Sequence, residues 1–280
     1  MTLAIAWVRN LKGSKELVFA SDSRLNGGVR WDQCPKMLTL PRSDCAICFA
    51  GTTHYTYPLI VQLSFAVSSY NRSQQRAMDL FELKGHIKRI FNSLQDAIYF
   101  NQSSYIKRED ELKDAEFIFG GYSWREKRFA FWRVKYNTGK RAFEFEAPKL
   151  IGNYGVIAFA GDWLAEGRNR LVANLIKKNG KKYFSDETNP GFDMEPFEAL
   201  SELLHDNRKD MNCTIGGPPQ VIKVYEHMNC RPVGVYWSTS DKVTRTLLGR
   251  TLLDYEDCDC WFLDPLNIAP PQNETSEIKK

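Results

Sequence analysis

Three residues near the amino-terminal end, Thr2, Asp22 and Lys36, have the types from which a self-contained nucleophile can be assembled. Removal of Met1, usual before a small residue, leaves Thr2 with a free α-amine beside its own hydroxyl. An α-amine titrates near ~7.7–8.0, and a threonine hydroxyl needs a neighbouring base before it attacks a carbonyl, so nucleophile and general base sit in one residue. A buried ammonium next to the hydroxyl would lower its effective pKa, and a carboxylate would hold that ammonium charged and aimed. Each residue alone is commonplace. An aspartate after a strand is ordinary turn chemistry, and a lysine before a strand suits a solvated edge.

Positioning them is the task of the strands on either side. The run Thr2-Leu3-Ala4-Ile5-Ala6-Trp7-Val8 is apolar without alternation, as a strand buried on both faces requires. After a turn at Gly13, the run from Glu16 to Ser21 ends in Asp22, so a hairpin returns the carboxylate to the start of the first strand. Pro35-Lys36 then leads into Met37-Leu38-Thr39-Leu40, which can bring the lysine there too.

On these residues the chain resembles the amino-terminal half of proteasome β-subunits and of the bacterial HslV peptidase, which are amino-terminal-nucleophile (Ntn) hydrolases. The resemblance is carried by Thr2, Ala20-Ser21-Asp22-Ser23-Arg24, Pro35-Lys36-Met37 and Cys48-Phe49-Ala50-Gly51 followed by a helix. It implies that Thr2 is the nucleophile, supported by Asp22 and Lys36, and that the backbone N–H of Cys48, standing where the family usually has glycine, serves the oxyanion hole. Two departures affect the support of the amine. Ala160-Gly161-Asp162 replaces a Gly-Ser-Gly element, and Asn212 occupies an aspartate's place before Ile215-Gly216-Gly217. Asp162 is a candidate substitute carboxylate and a candidate helix cap. The resemblance extends in outline to about residue 240, with specific motifs only in the first fifty residues.

Composition sets the outer bounds. The 280 residues are 43% hydrophobic and 13% aromatic, enough for one large core. A net charge of +4 with scattered Lys and Arg demands no nucleic-acid partner. No apolar run approaches the roughly 18 residues of a membrane span, and the start lacks the charged opening of a signal peptide, so a cytoplasmic location is expected. Seven cysteines, odd in number and mostly within apolar runs, suit a reducing compartment.

Periodicity predicts strands at about 2–9, 16–22, 37–40 and 44–50, then helices over roughly 52–70 and 77–100. A polar stretch from Asn101 to Lys113 reads as a surface loop. Strands follow at Glu116 to Gly121, Arg128 to Tyr136, Arg141 to Glu146 and Val156 to Ala160. Helices are expected at about 163–178 and from Met194 to Asn207, with closing strands at Gln220 to Tyr225 and Val233 to Trp237. This is the element order of an α+β, four-layer αββα sandwich, the architecture the resemblance also implies. Residues 1–240 are read as the Ntn-hydrolase-like domain. Residues 241–280 are a C-terminal extension: an amphipathic-looking run to 264 that adds an edge or meets another subunit, then a charged, Pro-rich tail with the composition of disorder.

Other constellations carry less. Cys45 and Cys48 have metal or redox spacing, but residues three apart in a strand face opposite ways. Cys258-Asp259-Cys260 lacks a second pair, and His54, His86, His205 and His227 are dispersed. No cofactor and no metal is expected. The reading is a threonine peptidase acting on peptide or protein substrates. The resemblance further implies a homo-oligomer, in some relatives a ring, working with an ATP-driven unfoldase. The alternatives are a small-molecule amidase of the Ntn class and a non-catalytic scaffold subunit; the latter usually has a helix ahead of the first strand, and none is written here.

Overall fold

The computed structural model describes residues 2–26, 29–99, 112–180, 191–210, 212–238, 242–266 and 268. The chain opens with a hairpin, β1 (Ala4–Leu11) and β2 (Ser14–Ser21), in which Ala4 lies opposite Ser21. A two-stranded excursion, β3 (Leu25–Asn26) and β4 (Arg30–Trp31), precedes β5 (Met37–Thr39) and β6 (Cys45–Ala50). Helices α1 (Thr53–Ser69), α2 (Asn71–Gln74) and α3 (Leu80–Asp96) follow. Strands β7 (Glu116–Ser123), β8 (Arg128–Asn137) and β9 (Ala142–Glu146) complete an antiparallel sheet of order β5-β6-β7-β8-β9.

The chain then returns to the first sheet with β10 (Lys149–Ile151) and β11 (Gly155–Ala160). After α4 (Leu164–Asn179) and α5 (Glu195–Asp206) come β12 (Gln220–Tyr225), β13 (Cys230–Ser238), β14 (Val243–Leu247), β15 (Arg250–Thr251) and β16 (Phe262–Leu263). The order in this sheet is β10-β11-β1-β2-β12-β13-β14-β15. Strand β16 adds in parallel to β13, the one parallel pairing among the named strands.

Period-two alternation sorts the apolar runs into separate cores. In β1, Ile5 and Trp7 pack with residues of α4 and α5, whereas Ala4 and Ala6 face the other way. In β6, Cys45, Ile47 and Phe49 pack with residues of α1 and α3, and Ala46, Cys48 and Ala50 join Ala4, Ala6 and Phe19 of the first sheet. The cluster shared by the two sheets is thus rich in alanine, which lets their backbones come close. Each fully buried large side chain on the outer faces, such as Trp7 or Phe49, contributes about 1.5–3 kcal/mol of burial. Cys45 and Cys48 face opposite ways, as strand alternation predicts, and the two thiols lie in different clusters.

Several boundaries moved for local reasons. The second long helix starts at Leu80, later than periodicity suggests, because Asp79 and Glu82 form a capping box: the Asp79 N–H donates to Glu82 Oε2 at 2.9 Å. Asp162 does not cap α4; its N-cap is Trp163, with no side-chain cap bond. Residues 243–263 extend the first sheet through β14, β15 and β16, so the run beyond 241 is an added edge. The short β3, β4, β10 and β14–β16 escaped the periodicity reading because two to five residues carry too little pattern. Most of the loop expected at Asn101 to Lys113, and the tail beyond 268, lie outside the described residues.

Candidate active site

Pairing of Ala4 with Ser21 sets Leu3 beside Asp22. The Asp22 N–H donates to the Leu3 carbonyl at 3.3 Å, and the Leu3 N–H donates to Asp22 Oδ1 at 3.2 Å. Lys36 arrives from the other sheet, just ahead of β5, where its carbonyl accepts from the Phe49 N–H at 3.0 Å. Its Nζ donates to Thr2 Oγ1 at 2.7 Å and to Asp22 Oδ1 at 2.9 Å. Thr2 is 1% exposed, and Asp22 and Lys36 are fully buried. The structure therefore brings together the three residues singled out in the sequence, and screens them from water while Met1 is in the chain.

Asp22 is held on both oxygens. Oδ1 takes Leu3 and Lys36, and Oδ2 accepts from the backbone N–H groups of Arg24 at 3.1 Å and Gly216 at 3.2 Å. Four donors on one carboxylate fix its direction. Gln220 acts as a brace. Its Oε1 accepts from the Lys36 N–H, and its Nε2 donates to the carbonyls of Asp22 and Cys34. Burial pulls the Lys36 ammonium below the ordinary lysine range, and Asp22 opposes that shift. A lysine so placed holds its proton less firmly than in water while pointing it at the threonine oxygen.

The remaining expected site residues lie elsewhere. Phe49 donates to the Lys36 carbonyl just ahead of β5, so by strand alternation the Cys48 N–H faces Ile118 of β7. The oxyanion role expected for Cys48 is corrected on that ground; its thiol sits between the sheets, pushed up to about 12 by burial. Asp162 is exposed at the start of the α4 turn. Asn212 is exposed too, with its N–H donating to Asp210 Oδ1 at 2.8 Å. The segment after Asn212 does reach the site, but through the Gly216 backbone.

Sequence reasoning missed Gln220, Arg24 as a structural anchor, and Glu116. Buried Arg24 is forked onto Asp32 and donates to the Cys213 carbonyl at 2.7 Å, tying the loop after β2 to the loop before β12. The signal for Arg24 was its place two residues beyond Asp22; for Gln220 and Glu116, polar residues at strand starts, none was visible. Gly161 lies against Thr2. It has φ +101°, and a Cβ there would stand 2.0 Å from the Thr2 carbonyl oxygen.

Among the described residues, no group of three or more His, Cys, Asp or Glu side chains could hold a metal ion, and no helix is long and apolar enough to cross a membrane. All seven cysteines are free.

Fold and site together define a mixed α/β protein of two largely antiparallel sheets with a buried threonine, lysine and aspartate where the sheets meet. The chain is similar to a solved structure of an Anbu (Gly-1) mutant from Hyphomicrobium sp. strain MC1, at 13% identity and a TM-score of 0.56, covering 89% of this chain and 87% of that one. It is also similar to Anbu, described as an ancestral beta-subunit, from Yersinia bercovieri, at 13% identity and a TM-score of 0.53, over 82% of this chain and 86% of that one. The likeness shows a shared fold. No protein-family model and no curated protein matches the chain.

Proposed function

We propose that the chain is a threonine-type Ntn hydrolase that cleaves amide bonds in peptides or proteins after loss of Met1. The observation that carries this reading is the 2.7 Å donation from Lys36 Nζ to Thr2 Oγ1, backed by Asp22 at 2.9 Å, in a site closed to water. Three apolar clusters, one between the sheets and one on each outer face, support a four-layer αββα sandwich as its architecture.

In the mechanism, the liberated Thr2 amine takes the hydroxyl proton as Oγ1 attacks the substrate carbonyl. Lys36 stabilises the developing charge on Oγ1, and Asp22 holds Lys36 in line. The amine then gives its proton to the leaving nitrogen, an acyl ester remains on Thr2, and water hydrolyses it by the reverse sequence. For the oxyanion, strand alternation favours the N–H of Gly51. It lies one residue past β6, two beyond Phe49, on the side that faces Lys36, and no residue of β5 stands opposite it. A homo-oligomer fits the description of a similar structure as a beta-subunit; a ring and an ATP-driven unfoldase belong to the same proposal. A reducing cytoplasm accords with seven free cysteines.

Intact mass of the purified chain, with and without an electrophile that captures an amino-terminal threonine, tests the reading. The expected result is a chain lacking Met1 that gains one adduct on Thr2. A retained Met1, or no adduct, sinks it. A panel of fluorogenic peptides set against simple acyl amides then separates a peptidase from a small-molecule amidase.

A further inference from the structure

Thr2 is gripped from the second sheet twice, and only one grip is the lysine. The other runs through Gly161, which follows β11 in the first sheet. Its N–H donates at 2.9 Å to Oε2 of Glu116, the first residue of β7 in the second sheet. The other oxygen of Glu116 accepts from Arg133 of β8, and Glu116 lies opposite Ala50, the last residue of β6. The side chains of Glu116 and Arg133 are 15% and 17% exposed, so the pair is mostly screened from water. Gly161 packs close against Thr2, so close that an added Cβ would stand 2.0 Å from the Thr2 carbonyl oxygen and 3.3 Å from the Ala50 methyl. A shift of the Gly161 peptide toward Thr2 therefore presses on the Thr2 backbone.

Resting on the hydrolase reading above, we infer that Glu116, oriented by Arg133, is a positioning residue: through the Gly161 N–H it sets where the Thr2 backbone, and hence its amine, stands relative to Lys36. This is the supporting role the sequence suggested for Asp162 or Asn212, filled by a carboxylate from the opposite sheet. It acts through a hydrogen bond and not by touching substrate, so its loss misplaces the nucleophile without changing substrate contacts. A misplacement of the order of 1 Å costs up to about 100-fold in turnover.

The test compares Glu116→Gln, which keeps a carbonyl acceptor for Gly161, with Glu116→Ala, which removes it. A Glu116→Ala/Arg133→Met double variant leaves no unpaired guanidinium and so guards against loss of fold. Each is prepared with Met1 removed and measured for kcat, KM and amide exchange at Gly161. Expected are a roughly 10- to 100-fold fall in kcat with KM within about twofold for Glu116→Ala and the double variant, loss of Gly161 protection in both, and recovery to within about threefold by Glu116→Gln. Wild-type kcat in Glu116→Ala, unchanged Gly161 protection, or an effect confined to KM overturns the inference alone. A wild-type chain free of Met1 that forms no adduct on Thr2 overturns the hydrolase reading, and this inference with it.

Discussion

Two buried ion pairs in this molecule have the same burial and opposite character. Arg42 and Asp44, in the turn between β5 and β6, are both fully buried in their side chains, and the guanidinium is forked onto the carboxylate at 2.7 and 2.8 Å. Its other donors reach the carbonyls of Ser73 and Met78. Burial pulls the Arg42 guanidinium down, but its bonds to Asp44 and the surrounding acids carry it above the ordinary arginine value. Lys36 and Asp22 are equally buried, yet the lysine falls below its ordinary value, and one of its donors goes to a threonine hydroxyl. A cation tied only to a carboxylate and carbonyls is structural. A cation kept uneasy and aimed at a hydroxyl is equipped for chemistry.

The largest expected effect is on the hydroxyl itself. Thr2→Ala should lower amide hydrolysis by at least ~1,000-fold and abolish adduct formation in intact mass, because the attacking atom is gone. Lys36→Met comes next, with a ~100- to 1,000-fold fall in kcat from the missing charge stabilisation. It also strands Asp22 and should cost about 3–5 kcal/mol in denaturant unfolding. Arg42→Met should cost a similar ~3–5 kcal/mol and leave kcat per folded molecule unchanged; a large fall in its kcat would erase the contrast between the pairs.

A smaller effect lies in pH. Lys36 binds its proton less tightly folded than unfolded, so between its lowered value and the ordinary 10.5 the unfolded chain carries more protons. Native stability contributed by this group therefore rises with pH across that window. Compared with a Lys36→Met/Asp22→Asn double variant, the wild-type chain should gain midpoint stability as pH rises toward 10.5; a flat difference would show that the lysine is not destabilised by burial. The smallest effect is expected from Cys48→Ala. Its N–H faces β7, so kcat should stay within about twofold while unfolding loses roughly 1 kcal/mol for the lost sulfur contacts.

The legible part of this chain was what short-range pattern encodes. The continuous apolar runs at Thr2 to Val8 and Cys45 to Ala50 announced doubly covered strands, and the end of β2 at Ser21 left Asp22 outside the ladder, as a hairpin return requires. The spacing of Lys36 before an apolar run placed it near the same point. Direction was harder to read. Whether the Cys48 N–H turns toward the site or toward β7 depends on whether Lys36 or its neighbour in β5 accepts from Phe49, and that register is set by tertiary pairing. Glu116 and Gln220 were invisible for a similar reason: each is polar at a strand start, a common solvated position, and only the packing of the two sheets makes one a brace for Gly161 and the other a brace for Lys36. The strand additions beyond residue 241 were hidden by their brevity.

The division of labour between the sheets has a mechanical consequence. Thr2 and Asp22 ride on one slab and Lys36 on the other, pressed together across an alanine-rich seam. A slip of one slab against the other would part Lys36 from Thr2 while every strand kept its own partners. Heating should therefore abolish the proposed hydrolysis at a lower temperature than the one at which the circular dichroism collapses.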